Sequence, residues 1–239
     1  MTMSKDERQE LLALYQGLRV ADVRDGMDKM MMHRTGSMWP SIRPLFRVRA
    51  CGIARTARYL PYEGNVPTMS PEEYAQWVGW YYETVCTYPW MDEIEEGDFC
   101  AIDQSGVDSG LMGSNNTLAG AKRGARGYVT NGGVRDTDEV ILQRIPFWSA
   151  FVSQSMVQGR LQFDAKDVPV AVGGVTARPG DVVVGDGDGV IVVPRKIARE
   201  VAKWAQVEHE GDKQGRRELY QALGMPLDDS VMPRKEAER

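Results

Sequence analysis

A chain of 239 residues with 42% hydrophobic content can bury its own core without a disulfide or a structural metal. A formal net charge of −5 argues against a nucleic-acid or anionic-membrane surface, which would be basic. No apolar run reaches the roughly 20 residues that cross a bilayer, and Met1–Glu10 is polar with no signal-peptide core behind it, so a cytoplasmic setting is expected. Cys51, Cys86 and Cys100 are too few and too widely spaced for a disulfide framework or a zinc knuckle, and His33 and His209 are the only histidines. Catalysis must therefore lean on carboxylates, arginine and backbone amides.

Asp6–Gly17 carries leucines at helical spacing, and Arg19–Met32 continues as a second helix through Val20, Val23, Met27 and Met30. A turn-rich passage from His33 to Pro44 follows, and Phe46–Tyr59 reads as a strand pair broken at Gly52. Ser70-Pro71-Glu72-Glu73 is a strong helix start, with serine as N-cap, proline in the first helical position and acids in the first turn. The helix it opens, about Pro71–Cys86, carries Tyr74, Trp77, Trp80, Tyr81 and Tyr82. Such a helix either docks on the core or a neighbouring subunit, or forms the wall of a substrate pocket.

Phe99–Asp103 is a short buried strand, followed by a polar loop over Gln104–Asn116, a helix over Thr117–Arg126 and a strand over Gly127–Asn131. Thr137–Gln143 suits a helix and Pro146–Ser153 a strand. Further strands are expected at Val168–Val172, Asp181–Val184 and Val190–Val193, with Pro194-Arg195 opening a last helix to about His209. The acids of Asp181 and of Asp186-Gly187-Asp188-Gly189 suit hairpin turns better than a metal cluster. The charged tail from Met232 is expected to be mobile. No repeat or linker divides the chain. One mixed α/β domain over residues 1–239, with N-terminal and C-terminal helical arms, is the simplest account.

Three polar segments follow apolar strands or open helices, which is where α/β sheets gather ligand sites: Asp103–Gly106, Gly113–Thr117 and Gly132–Asp136. The free amides of Gly113, Ser114, Asn115 and Asn116 can hold a substrate carboxylate at a helix N-terminus, although Ser114 or Asn115 could equally be a plain N-cap. Asp136 can bind one face of Mg²⁺ or Mn²⁺, and Arg135 offers a fork for a carboxylate or enolate oxygen. Gly132-Gly133 would let the backbone turn sharply and leave room for the ligand. Taken alone, an Arg-Asp pair is commonly a surface ion pair.

The runs Gly113-Ser-Asn-Asn-Thr-Leu-Ala-Gly-Ala-Lys-Arg-Gly124 and Gly127-Tyr-Val-Thr-Asn-Gly-Gly-Val-Arg-Asp-Thr-Asp-Glu139 resemble the RraA-like family. Gly173–Asp181 and Asp186–Pro194 resemble its C-terminal signature, and Asp22–Asp28 and Gly52–Thr56 its N-terminal elements. The likeness spans nearly the whole chain except about residues 61–90, where an aromatic helical insertion stands. That family includes class II 4-hydroxy-4-methyl-2-oxoglutarate/4-carboxy-4-hydroxy-2-oxoadipate aldolases, which also decarboxylate oxaloacetate, and the regulator of ribonuclease E activity.

The resemblance implies a ββα swivelling-domain-like α/β fold, assembled as a homotrimer or hexamer with sites between subunits. It makes Asp136 the Mg²⁺ or Mn²⁺ ligand and Arg135 the partner of the keto or enolate oxygen. Gly113–Asn116 would then cradle a small 2-oxo-carboxylate, with no nucleic acid or membrane as partner. The implied reaction is carbon–carbon lyase chemistry, a retro-aldol cleavage or decarboxylation through a metal-stabilised pyruvate enolate. Alternatives are a non-catalytic ribonuclease-regulating protein, or a related reaction on an unusual carboxylate. One departure is Ser114, where aldolase members carry an acid; Asp103 or Asp108, or Glu208 or Glu210 on the C-terminal helix of a neighbouring subunit, are the candidates to replace it.

Overall fold

The computed structural model describes residues 3–232. Two helices, α1 (Lys5–Tyr15) and α2 (Val20–Lys29), precede strands β1 (Arg43–Pro44) and β2 (Ala50–Pro61). Helix α3 (Pro71–Thr84) leads to β3 (Asp98–Asp103), β4 (Gly110–Met112), α4 (Ser114–Arg123), β5 (Gly127–Thr130) and β6 (Gly133–Val134). After α5 (Thr137–Leu142) come β7 (Phe147–Ser149), β8 (Phe151–Val152), β9 (Leu161–Lys166), β10 (Val170–Val172) and β11 (Val175–Ala177). The hairpin β12 (Val182–Asp186) and β13 (Gly189–Val193) precedes the long helix α6 (Ala198–Ala222).

β2 organises the sheet. It pairs in parallel with β3 along one edge. On its other edge Ala50–Ile53 pairs with β12 and Ala57–Pro61 with β9, both antiparallel. The main sheet runs β1-β7-β5-β3-β2-β12-β13, with β9 as the additional partner of β2. The expected break at Gly52 does not occur. Gly52 lies inside one continuous strand, where a Cβ would come within 2.7 Å of the Gly97 carbonyl oxygen. The glycine thus permits a close backbone approach rather than a turn.

Helices α1, α2 and α6 cover one core built from Leu11, Tyr15, Val23, Met27, Val184, Ile191, Val201 and Ala205. Gly26 lets α2 meet α6 closely, since a Cβ there would lie 2.7 Å from the Val201 carbonyl oxygen. The last helix runs well past His209 to Ala222, because its polar, helix-forming later turns show no buried stripe to signal them. A second core gathers Tyr59, Tyr81, Trp90, Ile102, Leu111, Tyr128 and Phe147 beneath α3. The expected mixed α/β architecture is present. The single expected strand Pro146–Ser153 is instead two, β7 in the main sheet and β8 in a separate three-stranded sheet ordered β4-β6-β8. The expected mobile tail lies, beyond Met232, outside the described residues.

Candidate active site at the ends of two parallel strands

The small sheet explains how motifs some twenty residues apart in sequence meet. β4 and β6 run parallel, pairing Gly110 with Gly133 and Met112 with Val134. Their C-terminal ends therefore deliver Gly113 and Arg135-Asp136 side by side. β4 feeds directly into α4, whose N-cap is Gly113, and β6 feeds into α5, whose N-cap is Asp136.

Asp136 adopts a left-handed conformation, φ 54° and ψ 41°, and its side chain makes no cap bond to its own helix. It turns to α4 instead. Its Oδ2 accepts from the Ser114 amide at 3.1 Å and from the Ser114 hydroxyl at 3.3 Å. Asp136 thereby caps the helix whose own N-cap residue has no side chain. Arg135 donates from Nε to Asp136 Oδ1 at 3.0 Å, and among the described residues its two terminal nitrogens make no hydrogen bond. Burial pushes the Asp136 carboxyl up, but the Arg135 hydrogen bond, the Ser114 amide and the arginine charge outweigh it and hold it below the usual carboxylate range. The group is ionised at neutral pH.

The glycines that make room for this pair are not those expected. A Cβ at Gly113 would lie 2.4 Å from Asp136 Oδ2, and one at Gly110 would lie 2.6 Å from Arg135 Cγ. Gly132 and Gly133 instead allow tight packing against Gln104 and Ser153, and neither has a positive φ.

The resulting cleft of about 150 Å³ is lined by Gly110, Gly113, Asn115, Asn116, Arg135 and Asp136, and is closed by Tyr82 and Met156. All the sequence-predicted site residues come together around it, Ser114 through its bonds to Asp136. The cradle differs from the expected one in a single respect: the Ser114 amide holds Asp136, so the first-turn amides of Asn115 and Asn116 are the ones left for a ligand. The Asn116 side chain is tied to the Leu111 carbonyl at 3.4 Å. Tyr82 belongs to the aromatic helix, which both docks on the core and lines this cleft. Tyr81 docks it on the core, donating to the Leu161 carbonyl at 2.7 Å, while Tyr82 reaches the cleft. No local signal marked Met156.

Neither Asp103 nor Asp108, the same-chain candidates to replace an acid at Ser114, enters this cleft. Asp103 accepts from the Ser105 amide, the Asn131 side chain and the Ala171 amide, and so pins a loop. Asp108 is exposed and lies outside the cleft lining. Within the chain Glu208 pairs with Lys29 and Glu210 lies 3.9 Å from Lys213 on α6; the role expected of them lies across a subunit boundary.

The donor set suits a hard cation that takes one carboxylate and completes its octahedron with water and substrate oxygens. Asp136 is ionised and one-third exposed, and its Oδ1 carries a single hydrogen bond. Among the described residues no three His, Cys, Asp or Glu side chains converge into a closed multi-ligand site of the zinc type. Asp186 accordingly accepts from the Val20 and Asp188 amides, and Asp181 from those of Arg178 and Arg195, as turn and cap residues.

The fold and cleft define a mixed α/β protein with an arginine, a carboxylate and a helix N-terminus converging at strand ends. The chain belongs to the RraA-like family: a family model described as Aldolase/RraA matches residues 20–192. It is 30% identical over 149 residues to a Halalkalibacterium halodurans protein provisionally named 4-hydroxy-4-methyl-2-oxoglutarate aldolase, covering 60% of this chain and 70% of that one. It is 26% identical over 163 residues to the protein DlpA of Legionella pneumophila, covering 67% of this chain but 24% of that longer protein. Streptomyces coelicolor RraAS2, described as an unusual member of the RNase ES inhibitor RraA family, superposes with a TM-score of 0.68 at 26% identity. That match covers 87% of this chain and 96% of RraAS2. No helix among the described residues is long and apolar enough to cross a membrane.

Proposed function

We propose that the chain is a divalent-metal-dependent carbon–carbon lyase acting on a small 2-oxo-carboxylate, and that decarboxylation is the reaction its own residues favour. The observation that carries this reading is the convergence of Arg135, Asp136 and the open amides of Asn115 and Asn116 on one cleft. The aldolase names of relatives support the same chemistry.

The two amides, at the positive end of α4, would hold the carboxylate of the pyruvyl part. The terminal nitrogens of Arg135 would meet the C2 oxygen, where negative charge gathers as the bond between C3 and C4 breaks. Asp136 would hold Mg²⁺ or Mn²⁺, which supplies Lewis-acid stabilisation of that charge when bound. Asp136 also fixes Arg135 through Nε, so the fork is oriented before substrate arrives.

The choice between the two cleavages rests on Ser114. Retro-aldol cleavage needs a base to remove the proton of the 4-hydroxyl as C4 becomes a carbonyl. Decarboxylation of oxaloacetate needs none: carbon dioxide departs, its electron pair passes into the enolate, and C3 is later protonated. The Ser114 hydroxyl donates to the Asp136 carboxylate, which Arg135 holds below the usual carboxylate range, so its only partner is too weak a base to activate it for that step.

Purified protein with Mg²⁺ or Mn²⁺ should release pyruvate from oxaloacetate faster than from 4-hydroxy-4-methyl-2-oxoglutarate, and chelation should abolish turnover. Absence of metal-dependent turnover on the whole panel, with Asp136→Ala leaving oxalate binding unchanged, would refute the enzyme. A ribonuclease-binding role would then be the better reading.

A further inference from the structure

A second cavity, about 390 Å³, shares no lining residue with the cleft at Arg135. It lies where the α1–α2 connection, the approach to β2 and the middle of α6 meet. Arg19, Arg49, His209, Lys213, Arg216 and Asp229 face it. We infer that this cavity binds a phosphate-class dianion, gripped by Arg49 and Lys213 with Arg216 and His209 behind them.

Lys213 is the sharpest sign. Its side chain is only 12% exposed, and among the described residues it makes no hydrogen bond and its nearest carboxylate oxygen, on Glu210, is 3.9 Å away. An ammonium held that far from its nearest acid keeps its donors free for a ligand that enters the cavity. Arg49 makes one hydrogen bond, from Nη1 to the Gly17 carbonyl at 2.8 Å, and leaves the rest of its fork open.

The acids around the cavity are largely committed. Asp22 accepts from the Arg19 guanidinium and backbone amide, and Asp212 bridges Arg19 and Arg216. With those charges matched, Arg49 and Lys213 stand against Asp229 and, 3.9 Å from Lys213, Glu210. Their donors arrive from separate elements, which suits a tetrahedral oxyanion better than the planar fork of a carboxylate.

His209 connects the site to pH. Its Nδ1 lies 2.7 Å from Asp22 Oδ2, an acceptor, so Nδ1 carries the proton and Nε2 is bare. Nε2 makes no hydrogen bond. Burial holds the imidazole below its usual range despite Asp22, with Lys213 and Arg19 acting in the same direction as burial. Arg49, Arg216 and Asp229 complete the charged surroundings. A bound dianion would offset the cations and favour the imidazolium, so binding should take up a proton.

The test exploits the two histidines of the chain, with His33 exposed as an internal control. Inorganic phosphate is titrated at constant ionic strength while both imidazoles are followed by NMR, with succinate in a parallel arm. The expected result is a saturable change at His209 and not at His33, with the His209 pKa rising as phosphate is added. Lys213→Gln and Arg49→Gln should each weaken it about tenfold, equivalent to about 1.4 kcal/mol. Arg49 is exposed, so its variant remains informative if Lys213→Gln fails to fold. An unresponsive His209, or equal affinity in both variants, overturns the site. Tighter binding of succinate overturns the phosphate assignment.

Discussion

Gly113 occupies an N-cap position that Asp136 fills from another strand, and that exchange gives the sharpest prediction at the scale of single residues. The Gly113 backbone, at φ −138° and ψ −171°, is open to any residue, so alanine would introduce no backbone strain. Its Cβ would nevertheless lie 2.4 Å from Asp136 Oδ2 and force the carboxylate away. Gly113→Ala should lower oxaloacetate turnover by about 10²-fold, as expected when a catalytic group is misplaced by about 1 Å. The accompanying loss of stability should be near that of a lost cap, about 1 kcal/mol. Steady-state kinetics beside a denaturant melt separates the two; a variant within twofold of the parent in turnover would show that Asp136 is not the group that matters. Ser114→Asp asks the complementary question. It returns an acid to the cleft at the cost of repulsion with Asp136, so total activity should fall while the ratio of retro-aldol to decarboxylation rises. An unchanged ratio would mean that proton transfer is supplied from elsewhere.

At the scale of elements, what could be read from the sequence was what is encoded locally. Ser70 and Glu73 form the reciprocal capping box that their spacing announces, with Glu73 donating from its amide to Ser70 Oγ at 3.2 Å and Ser70 donating to Glu73 Oε2 at 2.7 Å. Ser70→Ala should therefore cost about 1 kcal/mol, visible as a lower urea midpoint with unchanged slope. If Tyr81 alone positions the helix, no shift will be seen. β9 was missed although Leu161-Gln-Phe-Asp-Ala-Lys alternates apolar and polar residues as a half-buried strand does; what the sequence withheld is its partner, the distant half of β2. The same division runs through the site. Arg135, Asp136 and the α4 turn carry motif chemistry and were visible, whereas Met156 and Tyr82 are cleft residues only because β4, β6 and α3 happen to converge there. The reversal at Ser114, an amide serving the protein's own carboxylate, could not be read from a motif that shows order but not direction.

At the scale of the whole molecule, stability should depend on pH through one buried pair that ties α2 to α6. Asp22 is fully buried and His209 is 6% exposed, and their 2.7 Å contact joins the two helices whose close crossing Gly26 permits. The folded state lowers the pKa of His209 chiefly by burial. The unfolded chain, with a histidine pKa of about 6.5, therefore binds more protons than the folded one below that value. Stability contributed by the neutral imidazole is complete above about pH 6.5 and declines as pH falls through the unfolded value toward the folded one. Asp22 adds a second, lower window. Burial alone would raise its pKa, but its bonds from Arg19 and the charges of Arg19 and His209 hold it down, so its contribution is lost below about pH 4 as the carboxylate protonates. Equilibrium unfolding between pH 8 and pH 3 should thus show two descending limbs. His209→Gln, which keeps a donor for Asp22 but cannot titrate, should flatten the limb between about pH 7 and pH 5 and leave the lower one in place. Two limbs of unchanged steepness in that variant would assign the upper limb to other groups and remove His209 as the link between pH and the packing of α2 on α6.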